Sequence, residues 1–287
     1  MHFRQTQDFA LPPPTTSDIS LGMSACSIAL ANQKGGVGKT TTAVSIVACL
    51  AERGLRTLLV DLDPQANATS ALGLEKLSGG SVYQALLGST ALADSIRPSG
   101  LANLDLIPSE VDLAVAEVDV ARTDNYVQRL RNALLPIRQA NRYDYILIDC
   151  PPSLGILTMN ALAAVDRVLV PIQCEYLALE GLAVITRVID QIRTSGANPD
   201  LGLIGVVMTM YDGRTNLAQQ VVNEVRKHFG EKMFKTLIPR TVRLAEAPSF
   251  GKPITVYDPG SYAALVYRSL TDEIVARANP PAATRPG

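Results

Sequence analysis

Short apolar runs alternate along the chain with segments in which apolar residues recur every three or four positions. Apolar runs bounded by polar turns are typical of buried strands, whereas the three-and-four spacing is typical of amphipathic helices. The alternation predicts an α/β fold with a doubly wound, mostly parallel sheet covered by helices on both faces. The predicted strands are CSIALANQ, RTLLVDLD, LDLIPS, YDYILIDC, RVLVPIQ, LGLIGVVMTM and KTLIPR.

Two longer segments carry the helical spacing most clearly. Residues 261–278, SYAALVYRSLTDEIVARA, are predicted to form the closing helix. Residues 216–230, NLAQQVVNEVRKHFG, are predicted to form a helix that ends at Gly230, because glycine tolerates the backbone turn that follows a helix. The apolar face of that helix would consist of Leu217, Val221, Val222, Val225 and Phe229.

No repeat and no linker interrupts the alternation, so residues 25–278 are predicted to form one domain. Residues 1–24 contain three consecutive prolines and no apolar period, which predicts a disordered leader, with a partner-binding segment as the alternative. Residues 279–287, NPPAATRPG, are predicted to be a flexible tail.

The composition narrows the class of protein. The chain of 287 residues has a formal net charge of −1, which argues against affinity of the whole molecule for nucleic acid. No stretch reaches the roughly 18 consecutive apolar residues of a membrane span, and the N-terminus lacks a basic segment followed by an apolar core. The four cysteines show no CxxC spacing and are predicted to be buried free thiols. These features predict a cytoplasmic protein without a membrane partner.

The stretch NQKGGVGKTTT follows a predicted strand and opens a predicted helix, which is the context that a phosphate-binding loop requires. Gly35, Gly36 and Gly38 would let backbone N–H groups converge on phosphate oxygens, next to the positive end of the helix dipole. Lys39 would reach the β and γ phosphates, and the Thr40 hydroxyl would be a ligand of Mg²⁺. The sequence therefore predicts a site for ATP or ADP with Mg²⁺.

The loop departs from the common G-x-x-x-x-G-K-[ST] pattern, because Gln33 stands where the first glycine belongs. The signature K-G-G-x-G-K-T instead resembles the deviant Walker A ATPases, a P-loop NTPase family that includes ParA and Soj partition proteins, MinD and the nitrogenase iron protein. The resemblance implies that Lys34 reaches across a nucleotide-sandwich dimer to the phosphates of the partner subunit. On the local sequence alone, a solvated lysine is the alternative. The implied nucleotide-binding set is Lys34, Gly35, Gly36, Val37, Gly38, Lys39, Thr40 and Thr41.

Two aspartates end the second predicted strand. Asp61 and Asp63 are two positions apart and would face the same side at the carboxyl end of the sheet, where α/β proteins bind ligands. DLDPQAN resembles the first switch of the family, D-x-D-P-Q-G-N, whose second aspartate positions the attacking water, and the match falls on Asp63. Ala66 replaces the usual glycine, which puts the flexibility of this switch in question. The alternative is that the aspartates only cap the turn before Pro64.

A third acidic residue, Asp149, ends the apolar run of YDYILIDCPPSLG. This is the form of a Walker B acid, which contacts Mg²⁺ through water. Pro151 and Pro152 force an extended exit that suits a switch sensing the γ phosphate. The predicted metal set is Thr40, Asp63 and Asp149, and the predicted catalytic set is Lys34, Lys39 and Asp63.

Two predicted contacts to the nucleotide base come from the resemblance alone. The stretch IPRTVRLAEAPSFGKPI resembles the loop that wraps the base in relatives, which implies a contact through Pro239. Met210, at the end of VVMTM, is the second implied contact. The alternative for both residues is an ordinary turn or core role.

Positive charge is concentrated between residues 205 and 252, where eight Lys or Arg stand against four acids, a net of +4. Such a basic face suits phosphate backbones, and the lack of interleaved aromatics argues against base stacking. YDGRTN and RTVRLAEAPS resemble the segments with which partition ATPases bind DNA, and the matching arginines are Arg214 and Arg243. From composition alone, a solvated surface is the alternative. The eight basic residues are Arg214, Arg226, Lys227, Lys232, Lys235, Arg240, Arg243 and Lys252.

The resemblance implies an ATP-hydrolysing DNA-partition protein associated with the nucleoid. Its ATP-bound homodimer would bind double-stranded DNA non-specifically, and a ParB-type partner would stimulate hydrolysis and release. A MinD-like division-site or cargo-positioning ATPase is the alternative, but it needs a basic amphipathic C-terminal helix, and DEIVARANPPAATRPG offers none. A nitrogenase-type electron carrier needs a pair of exposed cysteines, for which Cys150 beside two prolines is a poor candidate.

Overall fold

The computed structural model describes residues 25–76 and 81–278. The predicted leader, 1–24, and the predicted tail, 279–287, lie outside the described residues. The strands of the described part are β1 (Cys26–Leu30), β2 (Thr57–Asp61), β3 (Arg97–Pro98), β4 (Leu104–Ile107), β5 (Tyr145–Asp149), β6 (Arg167–Gln173), β7 (Gly202–Tyr211) and β8 (Met233–Pro239).

Helices connect the strands, as the alternating pattern predicts. In the same described residues the α-helices are α1 (Lys39–Glu52), α2 (Asn67–Ala71), α3 (Val82–Leu87), α4 (Leu113–Ala121), α5 (Arg129–Gln139), α6 (Ile156–Ala164), α7 (Ala178–Thr194), α8 (Asn216–Phe229), α9 (Val242–Glu246), α10 (Ile254–Tyr257) and α11 (Tyr262–Ala278).

The strands form one sheet in the order β3-β4-β2-β5-β1-β6-β7-β8. Neighbouring strands are parallel except at the edge, where β3 pairs with β4 in the antiparallel direction. All seven predicted strands are present, which confirms the predicted α/β class with its mostly parallel sheet. The sequence prediction missed β3, because two residues that include a proline carry no apolar run.

Alternate residues of the central strands pack on opposite faces of the sheet. Ile146 and Ile148 of β5 belong to one apolar cluster, whereas Leu147 between them belongs to the other. Helices α4 to α8 contribute to the first cluster, and α1, α10 and α11 contribute to the second. Because both faces are covered, the central strands are apolar at successive positions, which explains their unbroken apolar runs.

The register of the sheet brings the carboxyl ends of its central strands to one level. Asp149 at the end of β5 is opposite Asp61 of β2 on one side and Leu30 of β1 on the other. The segments that follow these three strands therefore start side by side, which places the predicted phosphate loop beside the predicted acidic residues.

The structure of helix α8 shows that one of the residues predicted for its apolar face, Leu217, is not in the core. Its N-cap Thr215 accepts a hydrogen bond from the Ala218 N–H, and the chain leaves the helix at Gly230 with a φ of +50°. Val221, Val222 and Val225 are buried, but Leu217 is exposed. Leu217 lies in the first turn, where Ala218 takes the inward position instead, so the predicted apolar face begins one residue later.

Truncation of a central core side chain should destabilise the protein strongly. We expect Leu147→Ala, on the fully buried β5, to lower the free energy of unfolding by about 2–5 kcal/mol, because the buried leucine leaves a cavity. The matched control is Leu265→Ala on α11, where the exposed side chain should contribute less than about 0.5 kcal/mol. Chemical denaturation measures both, and equal losses would contradict the assignment of the two positions.

Candidate functional site

The predicted phosphate loop connects β1 to α1, as the sequence pattern requires. Gly36 and Gly38 have φ values of +74° and +82°, a left-handed conformation that glycine adopts without steric cost. The first helical hydrogen bond runs from the Thr42 N–H to the Gly38 carbonyl at 2.9 Å. The N–H groups that precede it have no partner within the helix, and they are the donors that an anion at a helix N-terminus uses.

Two polar side chains that the sequence prediction missed hold this loop against the sheet. Asn32 Nδ2 donates to the Pro171 carbonyl of β6 at 2.8 Å, and Asn32 Oδ1 accepts from the Lys34 N–H at 3.0 Å. Thr209 Oγ1 of β7 donates to the Val37 carbonyl at 2.8 Å. Asn32 and Thr209 are buried polar residues within or at the end of predicted apolar strands. A polar residue in an apolar run was the sequence signal that could have identified them, because buried polar side chains need hydrogen-bond partners.

Lys39 is buried at the first position of α1, and its Nζ donates to the Lys34 carbonyl at 3.0 Å. Burial lowers the pKa of Lys39, whereas the carboxylates of Asp149 and Asp63 act in the opposite direction. A desolvated ammonium group with one carbonyl acceptor keeps donors available for an anionic ligand. The geometry therefore suits the predicted contact to phosphate.

The Lys34 side chain forms an ion pair with Glu175, which follows β6. Both side chains are about half exposed. An exposed ion pair contributes at most about 1 kcal/mol, so Lys34 can leave Glu175 at small cost. Within this single chain, Lys34 is outside the cavity that the other loop residues line.

Asp61 and Asp63 are both buried at the carboxyl end of β2, but they differ in surroundings. Asp61 accepts three hydrogen bonds, from the Thr69 N–H at 2.8 Å, the Thr69 hydroxyl at 2.7 Å and the Asp63 N–H at 3.2 Å. Burial raises the pKa of Asp61 to about 6 although these donors act against the shift. Asp63 accepts from the Gln65 N–H at 3.0 Å and also lines the central cavity. Asp61 thus anchors α2, and Asp63 caps the turn while facing the cavity.

Ala66 occupies the position at which the family motif has glycine. Its φ of +51° is left-handed, and it immediately precedes α2. A residue with a Cβ adopts this conformation at a cost of about 1 kcal/mol, which accounts for glycine being usual there. The Ala66 side chain is fully buried, so packing of the methyl group offsets part of that cost.

Asp149 is the feature that fits a metal ion. It is fully buried, and neither carboxylate oxygen has a hydrogen-bond partner. Burial raises the pKa of Asp149 well above its ordinary value, and the Asp61 carboxylate raises it further. The Thr40 hydroxyl is close enough to lower that pKa, although it does not meet hydrogen-bond geometry. An unpartnered buried carboxylate beside a threonine hydroxyl is the donor set that a hard cation such as Mg²⁺ takes.

A cavity of about 500 Å³ joins the phosphate loop to the end of β8. Of the predicted site residues it is lined by Gly35, Gly36, Gly38, Lys39, Thr40, Thr41, Asp63, Met210 and Pro239. The residues that the prediction missed include Arg240, Thr241, Leu244 and Tyr267. Met210 has a φ of +53°, a left-handed backbone conformation that is rare for a residue with a long side chain. Strained backbone conformations of this kind cluster at functional sites. Val37 and Asp149 are buried and are not among the residues that line this cavity.

The predicted basic face is divided by the fold. Lys232 directly precedes β8, Lys235 is its third residue, and Arg226 lies in the last turn of α8, which leads into β8. Arg240 instead follows the carboxyl end of β8. One strand length therefore separates two groups of four basic residues, which corrects the idea of one continuous face. The group at the carboxyl end is Arg214, Arg240, Arg243 and Lys252.

Both predicted DNA contacts are already in ion pairs. Arg214 makes a two-pronged contact with Asp212, with Nε and Nη2 at 2.8 and 2.7 Å from the carboxylate, and this contact lowers the pKa of Asp212 to about 2. Arg243 lies 3.2 Å from Glu246 and 3.4 Å from Asp258. All these arginines are exposed, so solvent screens the pairs.

The sequence predicts buried free cysteines and no membrane-spanning segment. Cys49, Cys150 and Cys174 are buried free thiols, while Cys26 is partly exposed. Burial raises the pKa of Cys150, and no cluster of three metal-ligating side chains exists among residues 25–76 and 81–278. Over the same ranges, no helix has the length and apolar character to cross a bilayer.

One protein family and several known proteins match most of the chain in sequence. The AAA domain family matches residues 25–203. The chromosome partitioning protein ParA of Myxococcus xanthus is 50% identical over 254 residues, which cover 88% of this chain and 89% of that protein. The sporulation initiation inhibitor protein Soj of Bacillus subtilis is 52% identical over 250 residues, 87% of this chain and 98% of that protein.

A solved structure also matches along most of the chain. The cobyrinic acid a,c-diamide synthase from Mycobacterium smegmatis, with bound ADP and magnesium, superposes with a TM-score of 0.76 at 37% identity. The match covers 88% of this chain and 94% of that one. The architecture of the sheet and its helices is therefore shared with a protein that binds a nucleotide and a metal.

Substitution of Asp61 and of Asp149 should affect the stability of the protein differently when no nucleotide or magnesium is added. We expect Asp61→Ala to lower the free energy of unfolding by about 2–4 kcal/mol, because buried donors of Thr69 and Asp63 lose their acceptor. Asp149→Ala should leave it unchanged or raise it, because it removes a buried carboxylate without a partner. Denaturant unfolding without nucleotide or magnesium tests the pair, and a large loss with Asp149→Ala would refute the assignment.

Proposed function

Because this chain belongs to the family of ParA and Soj partitioning ATPases, we propose that it segregates DNA by a nucleotide-switched cycle. The protein is an ATPase that converts ATP and water to ADP and phosphate, with Mg²⁺ as its cofactor. In the proposed cycle, the ATP-bound dimer binds duplex DNA non-specifically, and a ParB-type partner stimulates hydrolysis and release. The observation that carries the proposal is that Lys39 and Asp63 line one cavity, with the buried Asp149 close enough to raise the pKa of Lys39 against the effect of burial, in a chain half identical to ParA.

The proposed chemistry is in-line attack of water on the γ phosphate. Lys39 would donate to the phosphate oxygens from a site shielded from bulk water, where its charge acts at short range. Asp63, with one oxygen fixed by the Gln65 N–H, would accept a proton of the attacking water and orient it. Asp149 and Thr40 would hold Mg²⁺, which neutralises charge on the phosphates when bound.

Lys34 would act in the site of a second copy. Its side chain is on the outside of the phosphate loop and cannot serve the cavity beside Lys39 while it is paired with Glu175. A cation delivered by a partner subunit stabilises charge that develops in the transition state, as an arginine finger does. Hydrolysis would then require dimerisation.

The proposed DNA contacts are the four basic residues beyond the carboxyl ends of β7 and β8. Arg240 and Lys252 are exposed, and their side chains make no hydrogen bond or ion pair within the described part of the chain. Arg214 and Arg243 would leave their carboxylate partners and bind phosphate oxygens instead. The exchange costs little, because each arginine replaces one charge-assisted hydrogen bond with another. Such contacts recognise the backbone and not the bases, which suits non-specific binding.

Loss of Lys34 should separate nucleotide binding from hydrolysis. We expect Lys34→Ala to keep ATP affinity within about threefold, because Lys39 and the glycine loop remain, and to reduce turnover by about 10³-fold or more. The control is Lys227→Ala, which removes a different exposed lysine, on α8, and should retain full turnover. Nucleotide titration and phosphate release measure the two effects, and normal turnover of Lys34→Ala would exclude the role in trans.

Retention on random-sequence duplex DNA tests the switch itself. We expect retention with ATP and Mg²⁺ only, falling steeply as salt rises, because counterions released from the phosphates drive the binding. Equal retention with ATP, with ADP and without nucleotide would contradict a nucleotide switch.

A pair of arginine variants tests the position of the DNA contact. Arg243→Ala should weaken retention on all sequences alike and reduce the salt slope by about 1 per subunit. Arg226→Ala, on the other basic group at the end of α8, should change neither quantity. Selective loss of one DNA sequence, or a larger effect of Arg226→Ala, would exclude the proposed contact.

A further inference from the structure

Three carboxylates hold two arginines of the proposed DNA-contact group. Asp212, directly after β7, accepts two hydrogen bonds from Arg214, from Nε at 2.8 Å and from Nη2 at 2.7 Å. Glu246, at the end of α9, accepts one from Nη1 of Arg243 at 3.2 Å. Asp258, directly after α10, lies 3.4 Å from Nε of the same arginine. Both guanidinium groups therefore meet carboxylates with the N–H donors that arginine uses to hold a phosphate.

These carboxylates lie at the surface and not in the core. Their side chains are 28% exposed in Asp212, 40% in Glu246 and 35% in Asp258. Asp212 also accepts from the Arg214 N–H at 3.1 Å, and Glu246 also accepts from the Tyr257 hydroxyl at 3.2 Å. None of the three belongs to the set of residues that line the cavity beside the phosphate loop. Within the described part of the chain, the charged partners of these acids are thus the two arginines.

The carboxylates cancel most of the positive charge of the group. Its four basic residues carry a charge of +4, and the three acids reduce the net charge of these seven side chains to +1. The pair with Arg214 lowers the pKa of Asp212 to about 2, and the charge of Arg240 acts in the same direction, so this acid interacts with both arginines. Non-specific affinity for DNA comes from the phosphates that Lys and Arg neutralise and from the counterions that are then released. A single chain therefore offers DNA a weakly charged face.

DNA would have to separate these ion pairs before it could bind the two arginines. For each arginine, the exchange of a carboxylate for a phosphate replaces one charge-assisted hydrogen bond with another. The carboxylate, in contrast, gains no new partner and remains beside the phosphate that has taken its place. Negative groups at such short range repel each other even in water. The three acids therefore lower the affinity for DNA although they leave the face accessible.

We propose that Asp212, Glu246 and Asp258 compete with DNA for the arginines and keep a single chain below the affinity at which DNA is retained. The inference rests on the proposed function, in which the ATP-bound dimer is the form that binds DNA. Two linked copies present the same contacts twice, and the second contact forms at a high effective concentration. A face that is too weak in one copy is then sufficient in two. The carboxylates thus sharpen the dependence of DNA binding on the nucleotide.

The test removes the three negative charges and keeps the shapes of the side chains. We expect the full chain with Asp212→Asn, Glu246→Gln and Asp258→Asn to bind random-sequence duplex DNA without nucleotide. Its affinity in that state should exceed that of the unmodified chain by about tenfold or more, because three exposed carboxylates no longer oppose the phosphates. The amide side chains keep an oxygen that accepts from the Arg214 N–H and from the Tyr257 hydroxyl. Titration of fluorescently labelled DNA measures the affinities.

The matched control makes the same change of charge at three other ion pairs. Glu52→Gln, Asp190→Asn and Asp272→Asn neutralise carboxylates on α1, α7 and α11 that also pair with arginines. The net charge of the chain changes equally in the two triple variants, so an effect of total charge would appear in both. We expect the control to change DNA affinity by less than about twofold, because salt screens distant exposed charges. An equal gain in both variants would overturn the inference.

Further readouts separate this inference from the proposed function. Thermal unfolding and affinity for ATP should match the unmodified chain, and Asp212→Asn alone should shift DNA affinity in the same direction, so the test does not depend on the triple variant. If the unmodified chain binds DNA only with ATP and the triple variant does so with unchanged affinity, the inference is wrong while the proposed function stands. Weaker DNA binding by the triple variant would show that the carboxylates orient the arginines for DNA, which also overturns it. If the unmodified chain binds no DNA in any nucleotide state, the proposed function fails and this inference fails with it.

Discussion

The pair of buried carboxyl groups at the carboxyl ends of β2 and β5 is the constraint on which the site depends. The parallel register places Asp61 directly opposite Asp149, and both residues are fully buried. Three hydrogen bonds disperse the charge of Asp61, but none reaches Asp149. A fold that keeps such a carboxylate stabilises itself when a cation arrives, so binding of the ligand and completion of the structure are linked.

The phosphate loop meets this acidic centre because the sheet holds it there. Asn32 ties the start of the loop to β6, and Thr209 ties its middle to β7. Lys39, at the end of the loop, is thereby kept close enough to Asp149 and Asp63 for their charges to oppose the loss of its own. Hydrogen bonds to the sheet thus hold positive charge, buried acids and loop N–H groups close together, and electrostatic catalysis needs groups that are fixed in this way.

The outer side of the loop is built differently. Lys34 is exposed and forms an ion pair with Glu175 in solvent, and Tyr176 and Leu177, which follow Glu175, are also exposed. A rigid interior beside a loosely held exterior suits an enzyme whose last catalytic group comes from another subunit.

The sequence by itself determined the fold class, the phosphate loop and seven of the eight strands that the described residues form. Local pattern was sufficient for these features, since a buried strand and a glycine turn are encoded by neighbouring residues. Met210 and Pro239 were predicted from resemblance, and the fold brings both to one cavity with Asp63 although they are far apart in sequence.

The sequence did not predict the division of the basic residues into two groups or the exposure of Leu217, because both depend on which end of a strand or helix a residue occupies. The roles of Asn32, Thr209 and Glu175 were decided by tertiary structure alone. Their partners lie more than 100 residues away along the chain, and only the order and register of the strands bring the two together.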